Sequence, residues 1–252
     1  MSAGFGTDET GSGLTEPRDL TATAMTGADG SPAVVGPAAA PFSIQVPAGA
    51  LSLQGDLALP GAPLGVVLFA HGSGSGRLSP RNRYVAERLN RAGLATLLLD
   101  LLTPAEESDR ANVFDVPLLA NRLAYATRWI RGRPETASLA LGYFGASTGA
   151  AAALWAAAEP GATVAAVVSR GGRPDLAAGR LRAVRAPTLL IVGGDDRVVL
   201  RLNEEALELL PGERRLTVVP GATHLFEEPG ALERVAELAA GWFVTHLDVR
   251  AD

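Results

Sequence analysis

Residues 142–150 read GYFGASTGA, and the setting of this stretch decides the fold. Gly145-Ala146-Ser147-Thr148-Gly149 is a GxSxG pattern. Five residues alone say little in a chain with 29 glycines, because so short a pattern recurs by composition. The flanks say more. ASLALGYF (137–144) is an apolar run of strand length, and TGAAAALWAAAEPG (148–161) is alanine-rich and stops at Pro-Gly, as a helix does. A strand that becomes a helix within a few residues needs a tight, strained turn, and small residues around it let neighbouring chains approach. Such a turn lifts Ser147 above the strand end, at a helix N-terminus whose free N–H groups favour a developing negative charge. The simpler alternative is a serine that only caps its helix. A base and an acid elsewhere in the chain would decide between the two.

Outward from this turn the chain keeps one rhythm. GVVLFA (65–70), ATLLLD (95–100), TVAAVVS (163–169), PTLLIVG (187–193) and RRLTVVP (214–220) are short, continuous apolar runs that suit strands buried on both faces. Between them lie RNRYVAERLNRAG (81–93), VPLLANRLAYATRWIRG (116–132), VLRLNEEALELLPG (199–212) and PGALERVAELAAGWFVTHL (229–247), with helical spacing and Gly or Pro at their ends. Strands alternating with crossover helices specify an α/β fold: a mostly parallel sheet covered on both faces, with function at the carboxyl ends of the strands. Earlier, FSIQV (42–46) and LSLQGDLALP (51–60) alternate apolar and polar residues around Pro47-Ala48-Gly49, predicting an antiparallel hairpin at a sheet edge. Residues 1–41 are rich in small polar residues, Ala and Pro, and are expected to form a disordered tail before a single domain over 42–252.

Composition narrows the chemistry. At 252 residues and 47% hydrophobic the chain can bury a large core. A net charge of −5 with mixed signs offers no basic surface for nucleic acid or anionic lipid. Cysteine is absent, which removes disulfides, thiolate metal sites and a cysteine nucleophile together. Neither a signal-type N-terminus nor an apolar run of membrane-spanning length is present, so a soluble cytoplasmic protein is expected. No metal and no cofactor is called for.

Three histidines make the search for a base short. His224 lies in PGATHLFEEPG (220–230), a polar loop between the last strand and the last helix, from which an imidazole can reach over the sheet edge to Ser147. His71 heads AHGSGSG (70–76) after the first long buried strand. In a fold of this kind that loop gives a backbone N–H to an oxyanion hole. Ser73 N–H and Thr148 N–H are therefore the expected pair, with the His71 side chain stiffening the loop. His246, beside Trp242 and Phe243, reads as packing. IVGGDDRVV (191–199) supplies two aspartates at a strand end, Asp195 and Asp196, either of which could orient the imidazole or cap the helix near Val199. Asp175 is a weaker substitute. With either aspartate the order runs serine, acid, histidine, the order of the α/β-hydrolases and not of the other serine-hydrolase folds.

From Gly65 onward the chain resembles the dienelactone hydrolase-like branch of the α/β-hydrolases. The resemblance rests on AHGSGSG, LLTPAEE with FDVPLLANRL, GYFGASTGAAAAL, VVSRGGRPDLA, LLIVGGDDRVVLRLNEEAL and PGATHLFEEPG. It implies a carboxylic-ester hydrolase without a cofactor. It also selects Asp196, since GxxDxxV, here Gly193, Asp196 and Val199, is how the acid turn commonly appears there. One departure stands out: Ser147 occupies the place where the true dienelactone hydrolases carry cysteine, so the lactone substrate does not carry over.

The expected activity is two-step acyl transfer on small to medium soluble esters, with Ser147 as nucleophile, His224 as base and Asp196 as its orienting acid. His71, Leu102, Phe114 and Arg170 are the expected substrate contacts, with LLTPAEESDRANVFDV (101–116) walling the pocket through Leu102, Val113 and Phe114. Arg170 and Arg173, which follow a strand end, suit an acidic acyl group unless they pair with neighbouring carboxylates such as Asp175. A peptidase or thioesterase on the same scaffold, or a non-catalytic binding module, are the alternative readings.

Overall fold

The computed structural model describes Met1 and residues 38–248; the expected tail over residues 1–41 lies almost wholly outside them. The sheet begins with the hairpin β1 (Phe42–Ala48) and β2 (Leu51–Ala58), which pair antiparallel with Val46 opposite Leu53. β3 (Val66–Ala70), β4 (Ala95–Leu99), β5 (Leu141–Ala146), β6 (Ala166–Arg170), β7 (Thr188–Gly193) and β8 (Arg214–Val219) follow. Their spatial order is β1-β2-β4-β3-β5-β6-β7-β8, and every pair from β4 to β8 is parallel.

Alternation along the strands builds two cores. Val66, Leu68 and Ala70 pack on one face with Leu119, Leu123 and Leu154, from helices α4 (Val116–Arg131) and α5 (Thr148–Ala157). Val67 and Phe69 face the other way, onto Val85, Leu89, Val235 and Phe243 of α1 (Pro80–Arg91) and α7 (Ala231–Leu247). Each Val, Leu or Phe side chain so buried contributes about 1.5–3 kcal/mol. β3 to β7 are buried on both faces, as their apolar runs predict. β8 is the exception: five of its six residues keep some exposure and two are exposed charged residues, because it is an edge strand with one covered side.

The capping chemistry is local. Ser79 caps α1 ahead of Pro80, and Asp115 accepts the Leu118 N–H at 2.9 Å to start α4. The 101–116 stretch contains two short helices, α2 (Pro104–Glu107) and α3 (Arg110–Phe114). α2 opens on a capping box between Thr103 and Glu106. A 3-10 segment, Pro174–Ala183, follows β6, and α6 (Arg197–Leu209) follows β7. No helix among the described residues is long and apolar enough to cross a membrane.

Candidate active site

Ser147 sits between β5 and α5 with φ 51° and ψ −121°, a left-handed conformation that non-glycine residues rarely adopt. It occupies the N-cap position of α5 yet makes no side-chain cap hydrogen bond, so the simple capping role is not what its hydroxyl does. Close packing holds the turn. A Cβ on Gly149 would lie 2.1 Å from the Ala70 carbonyl oxygen, and one on Gly72 would lie 2.9 Å from the Ser147 Cβ. The loop after β3 and the turn after β5 are thus in direct contact, and no side chain fits between them.

The loop after β8 brings His224 to this turn. Its Nε2 lies 3.3 Å from Ser147 Oγ, and its Nδ1 lies 2.6 Å from Asp196 Oδ2. With the proton on Nδ1 facing the carboxylate, Nε2 is left free to accept from the serine hydroxyl. The Asp196 side chain is 14% exposed and that of His224 37%, so the acid is shielded while the base opens to solvent. Of the two aspartates only Asp196 reaches the ring. Its other oxygen accepts the Val199 N–H at 3.5 Å, so one residue both orients the imidazole and caps α6. Asp195 is exposed, and Asp175 pairs with Arg173 through two bonds of 2.8 and 2.7 Å.

His71 is 6% exposed and spends both ring nitrogens on the backbone. Nε2 accepts the Leu101 N–H at 2.9 Å, and Nδ1 lies 3.0 Å from the Gly72 carbonyl oxygen. It braces the loop, as expected, and keeps no nitrogen for a substrate. The expected oxyanion donors differ from each other. Ser73 N–H is not free but donates to Thr148 Oγ1 at 3.0 Å. No sequence signal points to that side-chain contact, since only the backbone N–H of Thr148 is expected from its place after the nucleophile.

Beside these donors is a small cavity lined by His71, Ser73, Leu102, Val113, Leu119 and Thr148. Leu102 and Val113 wall it as the 101–116 stretch predicts. Phe114 does not: it is 44% exposed and carries the Arg110 guanidinium over its ring at 5.6 Å. The short α3 turns this residue outward, because its helical spacing sends Val113 and Phe114 in different directions.

Arg170, at the end of β6, accepts the Ser147 N–H on its carbonyl oxygen at 3.2 Å. Its side chain is buried, with Nε and Nη1 lacking any partner among the described residues. Asp175 is taken by Arg173, and the guanidinium instead stands 6.0 Å from the centre of the Phe226 ring. Burial pushes its pKa down to about 10, with Arg81 adding repulsion, so at neutral pH it remains a cation. Phe226 itself has φ 56°, and besides Ser147 it is the one non-glycine residue with positive φ among those described. Arg81, which no sequence signal tied to the site, pairs with Glu227 at 3.0 Å. His246 stacks on Trp242 at 4.5 Å, away from the turn, as a packing residue does. Among the described residues no group of three or more His, Cys, Asp or Glu side chains could hold a metal ion.

No protein-family model matches the chain. Proteins of two Mycobacterium tuberculosis strains are 62% identical to it over 204 residues, which is 81% of this chain. Both carry a provisional name, phosphoribosyl transferase, and the chain spans only 46% of their length. Among solved structures, Est1E from Butyrivibrio proteoclasticus shares the fold with a TM-score of 0.70 at 14% identity, over 81% of this chain and 98% of its own. Dienelactone hydrolase from Anabaena variabilis is 57% identical with a TM-score of 0.80, over 83% of this chain and 99% of its own. An identity of that level across nearly the whole of a solved enzyme, on the same sheet, means that this chain belongs to the dienelactone hydrolase-like family of α/β-hydrolases.

Proposed function

We propose that this protein is a serine esterase that cleaves small to medium soluble carboxylic esters through an acyl-enzyme on Ser147. The observation that carries the reading is the continuous line Ser147 Oγ, His224 Nε2, His224 Nδ1, Asp196 Oδ2, with spacings of 3.3 and 2.6 Å at its two hydrogen bonds. His224 takes the hydroxyl proton as Ser147 attacks the ester carbonyl, and Asp196 supports the imidazolium that forms. The alcohol leaves with that proton. Water activated by the same histidine then releases the acid. Thr148 N–H, at the start of α5, faces the developing oxyanion. Leu102 suits the apolar part of the substrate, and the unpaired Arg170 cation suits an anionic group on it, since buried charges are otherwise paired. We place this chemistry in the cytoplasm, with no cofactor.

The phosphoribosyl transferase name belongs to relatives more than twice as long as their match to this chain, and the matched part takes a hydrolase fold here. Labelling by a fluorophosphonate, with p-nitrophenyl ester turnover measured alongside, tests the proposal. Labelling should vanish and turnover fall by at least about a thousandfold in Ser147→Ala. An Ala variant that keeps its turnover rules the reading out, and anilide and thioester substrates separate an esterase from a peptidase or thioesterase.

A further inference from the structure

We propose that the Thr148 hydroxyl is itself an oxyanion donor and that Ser73 acts through it rather than directly; the inference rests on the serine-esterase reading above. Three observations lead there. First, Ser73 N–H, the loop donor that such a fold would aim at the oxyanion, is already donated to Thr148 Oγ1 at 3.0 Å. Second, that bond uses a lone pair of the hydroxyl and leaves its hydrogen free. Among the described residues no acceptor takes that hydrogen, although the residue is only 2% exposed. A buried hydroxyl normally finds an acceptor. Third, Thr148 follows the nucleophile directly and lines a small cavity together with His71, Ser73 and Leu102, so the free hydrogen has open space to turn into on the side from which a substrate carbonyl would approach.

The packing makes the arrangement rigid. The approach of Gly72 to Ser147 and of Gly149 to Ala70 locks the β3 loop against the turn, so Ser73 cannot swing to the oxyanion without breaking those contacts. Thr148 at the first position of α5, directly after the nucleophile, offers two donors from one residue, its backbone N–H and its hydroxyl. In the free enzyme Thr148 Oγ1 satisfies Ser73 N–H. Once the carbonyl oxygen becomes an oxyanion, the hydroxyl hydrogen donates to it, while Ser73 N–H polarises the same hydroxyl from behind. No bond to hydrogen breaks: the proton that moves in the reaction is that of Ser147, and Thr148 keeps its own. Thr148 is then a catalytic residue and Ser73 a positioning residue.

The test is a set of variants of the full chain. Thr148→Val keeps the shape and removes the hydroxyl, and kcat for p-nitrophenyl acetate should fall about 100- to 1000-fold with KM nearly unchanged. Thr148→Ser should restore kcat to within a few-fold of the wild type. Affinity for an alkyl boronic acid, which forms a tetrahedral adduct on Ser147, should fall in parallel with kcat in Thr148→Val. If Val at this position does not fold, Thr148→Cys keeps the size with a far weaker donor and should show the same loss. A Val or Cys variant with kcat and boronate affinity within about threefold of the wild type overturns the proposal. The serine-esterase reading fails separately, by persistence of activity in Ser147→Ala.

Discussion

Asp196 holds His224 with one carboxylate oxygen and its own helix with the other: Oδ2 lies 2.6 Å from the imidazole Nδ1, and Oδ1 accepts the Val199 N–H at 3.5 Å. Fixing the acid to the first turn of α6 fixes the direction from which the imidazole is oriented.

The two duties of Asp196 can be separated. Asparagine caps a helix as well as aspartate but cannot hold the productive tautomer. Asp196→Asn should therefore lower kcat by about 10⁴-fold while leaving stability within a few tenths of a kcal/mol. Asp196→Ala should lose activity similarly and, in addition, up to about 1 kcal/mol of stability. Ester turnover and urea midpoints measured on both variants check this. Equal stabilities for the two would show that the cap contributes nothing.

Gly149 tests the contact between loop and turn. An added Cβ would meet the Ala70 carbonyl oxygen at 2.1 Å, and that atom is backbone and cannot rotate away. Gly149→Ala should cost about 3 kcal/mol or more. Gly179, where a Cβ would meet nothing within 4 Å, is the control, and Gly179→Ala should be neutral or slightly stabilising. Thermal midpoints of the two variants give the comparison.

Arg170 is buried, charged and without a carboxylate among the described residues, so its removal should not cost what breaking a buried ion pair costs. Arg170→Met is expected to match or exceed the wild-type thermal midpoint. Its preference for monoanionic over neutral esters of equal size should fall by about tenfold, the scale of one lost charge-assisted hydrogen bond. The ratio of kcat/KM for a hemisuccinate ester to that for its neutral methyl ester reads this out, and an unchanged ratio removes Arg170 from the substrate contacts.

Glu106 links α2 to α4. Burial works against its charge, but bonds from the Thr103 N–H and hydroxyl and from Arg122, whose Nη2 lies 2.6 Å away, outweigh it and hold its pKa below 4.5. A carboxyl with a lowered folded pKa stabilises above its unfolded value, and that stability is lost as pH falls through the folded one. Glu106→Gln should thus be less stable than the wild type at pH 7 by about 1 kcal/mol, solvent screening taken into account. The difference should shrink as pH falls below the ordinary carboxylate range. Thermal midpoints across that range check the sign.

Much of the fold was legible because it is repetitive. Continuous apolar runs such as TLLIVG and helical spacing such as RYVAERL follow from burial on two faces or on one, and each is a property of a few neighbouring residues. The local composition of RRLTVV predicts burial on both faces for β8, and only its place at the sheet edge leaves it largely exposed. Phe114 was misplaced for a related reason, since a five-residue helix rotates it away from the neighbouring Val113.

The sequence alone determined which side chains could meet: one hydroxyl in a strand-turn-helix, one histidine in the last strand-to-helix loop, and an aspartate at a strand end, in an order that a parallel sheet brings together. Tertiary structure decided which atoms do meet. It chose Asp196 over Asp195 by distance, gave the Ser73 N–H to the Thr148 hydroxyl, and left Arg170 without a carboxylate. The physical reason is range. Periodicity and turn chemistry act within a few residues, whereas hydrogen-bond partnership depends on positions to within a few tenths of an ångström across 28 to 77 residues of chain, which only the packed sheet sets.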